Sequence, residues 1–113
     1  MHEYSLAQAL LARVEREAQA RGASAVCRLS VRIGELAGVE RELLETAYRT
    51  CRIGTLCEAA ELVVKPVSVR WACSTCAQPM ASGDVLTCPA CGSPARLLEG
   101  DEILLERIEM EVA

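Results

Sequence analysis

The sequence predicts an α+β fold in which two helices pack on a small three-stranded sheet and a ribbon-like lobe is inserted before the last strand. Three observations carry this reading. Two stretches repeat apolar residues at helical spacing, three others are β-patterned, and a cysteine-rich segment separates the second β-stretch from the third. Residues 1–68 are then one α/β domain completed by a last strand within 99–113, and residues 69–98 are the inserted domain.

Ser5 and Gln8 have the spacing of a capping box, and Leu6, Leu10, Val14 and Ala18 recur at helical spacing as far as Gly22. This start leaves Met1, His2, Glu3 and Tyr4 ahead of the first turn, so the amino terminus is expected to be accessible. From Val26 to Ile33 the side chains alternate, with Cys27, Leu29, Val31 and Ile33 on one face and Arg28, Ser30 and Arg32 on the other, as in a half-buried strand. The acidic run Glu40 to Glu42 and the stripe Leu43, Leu44, Ala47, Tyr48 and Cys51 predict a second helix ending near Gly54. Leu62 to Trp71 is valine-rich, but Pro66 lacks a ladder donor, which places it at an edge, a bulge or the exit toward the lobe. Glu102 to Val112 supplies the last strand. The second helix is long enough to join parallel neighbours, the antiparallel arrangement is equally open, and strand order is not determined.

With 113 residues, no Phe, two Tyr and one Trp, the core must be built from Leu, Val, Ile, Ala and Cys, and so small a core gains from a metal staple. The net charge of −4 argues against a nucleic-acid partner, because a large basic surface is needed to neutralise phosphates. No apolar run approaches the roughly 20 residues that span a bilayer, and Met1 to Arg13 lacks the pattern of an export signal. A cytoplasmic protein with no membrane partner and reduced thiols is expected.

Cys73-Ser74-Thr75-Cys76 and Cys88-Pro89-Ala90-Cys91 each hold two sulfurs at the ends of a tight turn, and two such turns complete a tetrahedron around zinc. The 11 residues between the pairs suffice for a short hairpin carrying Gly83 and Asp84, and Gly92 suits a left-handed turn after the last ligand. Four thiolates leave no open coordination position, so the ion is structural and the lobe should unfold without it; such sites in peptides are worth ~10–16 kcal/mol. Iron in a rubredoxin-like sulfur cage is the sharper rival, and the scarcity of aromatic residues around the cage favours zinc. Cys27 and Cys51 fall on apolar faces and are expected to pack in the core, while Cys57 sits in a loop with no assigned role.

His2 is the sole histidine and sits one residue from the α-amine of Met1, with a backbone nitrogen between them able to join both in fused chelate rings. Nickel(II) and copper(II) favour such nitrogen-rich tetragonal sets. Glu3 adds another backbone nitrogen or its carboxylate. On residues alone, the reading stops at a zinc-ribbon adaptor for protein or nucleic acid, or an iron-loaded electron carrier. No constellation of acid, base and nucleophile points to an enzyme.

Met1-His2-Glu3 with Ser5-Leu6, Gly34-Glu35-Leu36-Ala37-Gly38-Val39, Gly54-Thr55-Leu56 and the two CxxC pairs together resemble the HypA/HybF family nearly end to end. The resemblance implies a nickel metallochaperone for maturation of nickel-iron hydrogenase, and in some organisms of urease. Its implied partners are a HypB-type GTPase and the hydrogenase large-subunit precursor. It also implies nickel ligation by the Met1 amine and the His2 side chain, then by the His2 and Glu3 backbone nitrogens and less so the Glu3 carboxylate, with zinc on Cys73, Cys76, Cys88 and Cys91. Ala37, where the family commonly has Ser, and the lack of Phe depart from the pattern without touching these ligands.

Overall fold

The computed structural model describes residues 2–80 and 87–112. Along the chain run α1 (His2–Ala20), β1 (Ala23–Gly34), α2 (Arg41–Cys51), β2 (Glu61–Val67), β3 (Arg70–Cys73), β4 (Pro79–Met80), β5 (Ala95–Glu99) and β6 (Ile103–Val112). The larger sheet has the order β2-β1-β6, with β2 parallel and β6 antiparallel to β1. The smaller sheet, β4-β3-β5, is antiparallel throughout and carries the cysteines. This is the α+β architecture with an inserted lobe that the patterning predicts. The crossover through α2 proves parallel, and Pro66 lies on the edge strand β2, where its missing donor costs no ladder bond.

α1 begins at His2, not after Ser5. Ser5 and Gln8 lie inside the helix and are exposed, so they do not act as a cap. Two effects favour the earlier start. Glu3 puts a carboxylate in the first turn, where the helix end is positive, and its Oε2 accepts the Glu40 N–H at 3.2 Å, which ties the turn to the start of α2. Ala7, Leu11, Val14 and Ala18 then form the buried face.

One cluster joins Leu11, Val14 and Ala18 to Val26, Leu29, Tyr48, Cys57 and Ala60, and a second joins Ala7 to Val31, Ile33, Leu44, Ala47 and Val64. Leu43, expected in the α2 stripe, is half exposed instead. Tyr48 is the one ring fully buried in the core, and its hydroxyl donates to the Ala60 carbonyl at 2.9 Å. Arg52 donates to the same oxygen at 3.1 Å. Burial pushes the Tyr48 hydroxyl up to about 12, so it stays a donor at all ordinary pH.

Strict alternation along β1 fails at Cys27. Val26 pairs with Met110 and Arg28 with Glu109, leaving Cys27 as the extra residue of a bulge. Val26 and Leu29 both reach the core and Cys27 is turned to solvent, contrary to its expected packing. Cys51 is half-buried against both clusters, as its helical position predicts. Cys57, placed in a loop by sequence, is completely buried; burial, then the Glu15 carboxylate, push its thiol up to about 11, so it packs as a neutral hydrophobe. On the opposite face of the sheet Arg28 pairs with Glu61 and Glu109, and Arg32 and Lys65 pair with Glu106. These exposed pairs neutralise the face and contribute little each, about 0–1 kcal/mol.

Tyr48→Phe removes one of two donors to the Ala60 carbonyl while keeping the ring. The expected loss is at the low end for a buried hydrogen bond, about 1 kcal/mol in urea unfolding, with no change in the denaturant slope.

Candidate metal centre

Cys73 ends β3, and the chain turns back at once. The Ala77 N–H donates to the Cys73 carbonyl at 3.1 Å, and the Cys73 N–H donates to the Gln78 carbonyl at 2.9 Å. The second turn repeats this pattern, with Gly92 N–H to the Cys88 carbonyl at 2.9 Å and Cys88 N–H to the Ser93 carbonyl at 2.8 Å. The residue after each second cysteine is left-handed, Gly92 at φ 75° as expected and Ala77 at φ 61°. Glycine takes that conformation freely, whereas the Cβ of Ala77 costs roughly 1–2 kcal/mol there. Sequence reading missed this equivalence, although the two segments share a signal: each reads Cys-x-x-Cys, a small residue, a polar residue and proline, ending at Pro79 and Pro94. The turns are also stitched together. Ser74 donates through its N–H and its hydroxyl to the Pro94 carbonyl, at 3.1 and 2.8 Å, and the Thr75 hydroxyl meets Ser93 Oγ at 2.8 Å.

The four sulfurs of Cys73, Cys76, Cys88 and Cys91 lie within 4.8 Å of one another, with Sγ···Sγ separations of 3.3, 3.8 and 4.0 Å for the pairs 73–91, 76–88 and 76–91. A tetrahedron with metal–sulfur bonds of about 2.3 Å has edges of ~3.8 Å, so the donor set fits one thiolate-bound ion. Cys73 and Cys88 are buried and Cys76 and Cys91 exposed, so the cluster is half-open to solvent on its ligand side. The Cys76 and Thr75 N–H groups, each 3.4 Å from the Cys73 sulfur, draw that thiol down to about 6. At Cys76 the Gln78 N–H pulls downward, but the Cys73 sulfur, burial and the Cys88 and Cys91 sulfurs together push the thiol up to about 11. The two N–H groups favour the thiolate form of Cys73, which suits that sulfur to hold a cation. The hairpin expected at Gly83 and Asp84 lies outside the described residues.

His2 is exposed on the first turn of α1. The first amides of a helix have no intrahelical acceptor, so the backbone nitrogens of His2 and Glu3 are not committed to the ladder. The Glu3 carboxylate is committed: the Glu40 N–H holds it below the usual carboxylate range. Met1, with its α-amine, lies outside the described residues.

The sequence profile of the family described as "Hydrogenase/urease nickel incorporation, metallochaperone, hypA" matches residues 1–110. The chain belongs to the HypA family. It is 37% identical over 113 residues to a hydrogenase maturation factor HypA of Shewanella baltica, covering 98% of this chain and 97% of that one. The HypA of Aquifex aeolicus is 36% identical over 114 residues, with 99% of each chain covered. The solution structure of the Ni metallochaperone HypA from Helicobacter pylori superposes with a TM-score of 0.75 at 29% identity, over 98% of both chains. HypA proteins are maturation factors and nickel-incorporation metallochaperones, not catalysts. Four thiolates around one ion would leave no open position at which a substrate or water could be activated.

Trp71 lies on β3 opposite Met80 and Leu97, inside the lobe that carries the four cysteines. The two main clusters draw on α1, β1, α2, β2 and β6 together with the α2–β2 connection. Chelation of a metal held by the four cysteines is therefore expected to red-shift Trp71 emission while the far-ultraviolet helical signal persists. Joint loss of both signals would show that the lobe and the helical layer fold as one unit.

Proposed function

We propose that this chain carries nickel(II) on its amino terminus and delivers it to the nickel-iron hydrogenase large-subunit precursor in the cytoplasm, working with a HypB-type GTPase; in some organisms urease would be a second recipient. Nickel is the cargo. The Met1 amine and the His2 imidazole are its first ligands, followed by the His2 and Glu3 backbone nitrogens, while Cys73, Cys76, Cys88 and Cys91 hold zinc as a resident structural ion. Residues 1–68 with 99–113 form the nickel-binding domain in this reading, and residues 69–98 the zinc-binding domain.

The observation that carries the proposal is the contrast between the chain's two donor sets. The sulfurs form a closed cage anchored by a repeated backbone turn, which suits an ion that stays. His2 stands exposed to solvent at the first turn of α1, which suits an ion that leaves by stepwise ligand exchange. Glu3 supports the site through its backbone, because its carboxylate already accepts the Glu40 N–H. The match of residues 1–110 to a nickel-incorporation family supports the choice of metal.

Calorimetric titration of nickel into the zinc-loaded chain should show one site with the native Met1 terminus and none in His2→Ala, with zinc content and helicity unchanged. Retention of the site in His2→Ala would sink the assignment and return the protein to a zinc-ribbon adaptor or move the nickel ligands elsewhere. Protons compete with nickel for imidazole and amine, so affinity should fall as the pH falls. A peptide fused ahead of Met1 removes the free amine and should weaken binding in the same assay.

A further inference from the structure

The lobe is joined to the larger sheet by two short connections, Ser68–Val69 going out and Gly100–Glu102 coming back. Both pass against the turn that follows β1. On the outgoing side the Glu35 N–H donates to the Val67 carbonyl at 2.9 Å, and Glu35 Oε1 accepts the Val69 N–H at 3.0 Å. On the returning side Gly34 N–H donates to the Glu102 carbonyl at 2.8 Å and Leu36 N–H to the Gly100 carbonyl at 2.6 Å.

The three backbones are in direct contact. A Cβ on Gly34 would lie 2.2 Å from the Gly100 carbonyl carbon, and one on Gly100 would lie 2.7 Å from the Val69 Cα. Among the bonds described at this crossing, Glu35 supplies the side-chain one, and it supplies it where no ladder continues. The β1–β2 register ends at Gly34 and Val67, and the lobe's ladder starts at Arg70. The Val69 N–H would otherwise be left unpaired on a residue that is 8% exposed.

We propose that Glu35 is a positioning residue that sets the orientation of the four-cysteine lobe on the helical layer by clasping the Val69 N–H at the junction of the two sheets. The carboxylate forms the clasp from a turn that is itself anchored to β1, so the outgoing strand cannot swivel about Ser68. The paired glycines hold the returning strand against the same turn. This role is independent of which ion the amino terminus carries.

The test uses the full zinc-loaded chain, with zinc verified in each variant. In the native protein the Val69 amide should exchange slowly with solvent, and one alignment tensor should fit residual dipolar couplings from both sheets. Glu35→Ala should speed Val69 exchange on the order of 10- to 100-fold, as for loss of a hydrogen bond to a charged group, and split the fit into two tensors. Glu35→Gln keeps an acceptor oxygen and should restore the single tensor. A single tensor in Glu35→Ala would overturn the proposal. Should that variant fail to fold, the native chain decides: a Val69 amide exchanging as fast as exposed loop amides means that no clasp exists.

Discussion

The chain leaves its main sheet at Val67, builds a separate sheet, and must return beside β1 at Ile103. That path forces three backbones together at Gly34, Val69 and Gly100, where a single added Cβ would overlap main-chain atoms. The junction therefore admits glycine at two of its three positions, and Gly100 further adopts φ 110°, a conformation side chains rarely take. The rest of the architecture depends on this close approach. It lets β6 pair along β1, which completes the sheet on which both helices rest, and it brings the turn after β1 within hydrogen-bonding reach of both connections to the lobe.

A core with one fully buried ring has little area to spend, and the protein compensates by local means. The helical layer uses small side chains packed closely, Ala7, Ala18, Ala47 and Ala60 among them, and satisfies its one large polar group by pointing Tyr48 at a carbonyl. Among the described residues, the lobe contributes to neither of the two hydrophobic clusters. Its order comes from two copies of one backbone turn and from four sulfurs gathered closely enough to hold one cation, and a cation bound there would tie the stability of the lobe to metal.

The errors in reading the sequence have a common cause. Period-two alternation places Cys27 in the core, but a bulge opposite Met110 and Glu109 inserts one extra residue and turns it outward. Helix capping rules place the start of α1 at Ser5, but a contact 37 residues away, from Glu40 to Glu3, holds a further turn. Cys57 follows α2 in a segment without periodicity and is nonetheless fully buried, because the return from α2 to β2 passes beneath α1 and β1. Glu35 carries no local signal of its bond to the Val69 N–H, which forms only once the lobe is in place. Each case turns on a long-range contact that overrides a local pattern.

By itself the sequence determined the two helices, the exclusion of Pro66 from a regular central strand, the insertion of the lobe and the pairing of four cysteines at ligand spacing. These depend on periodicity, on proline's missing donor and on ligand spacing, all of which act over a few residues. Tertiary structure alone decided that β1 and β2 run parallel, that β1 is central, which cysteines are exposed, and that Glu35 bonds to the root of the lobe. Those outcomes depend on which strand finds which partner across the chain. Local spacing carries no information about that choice, because the energy that settles it is released only when distant segments meet.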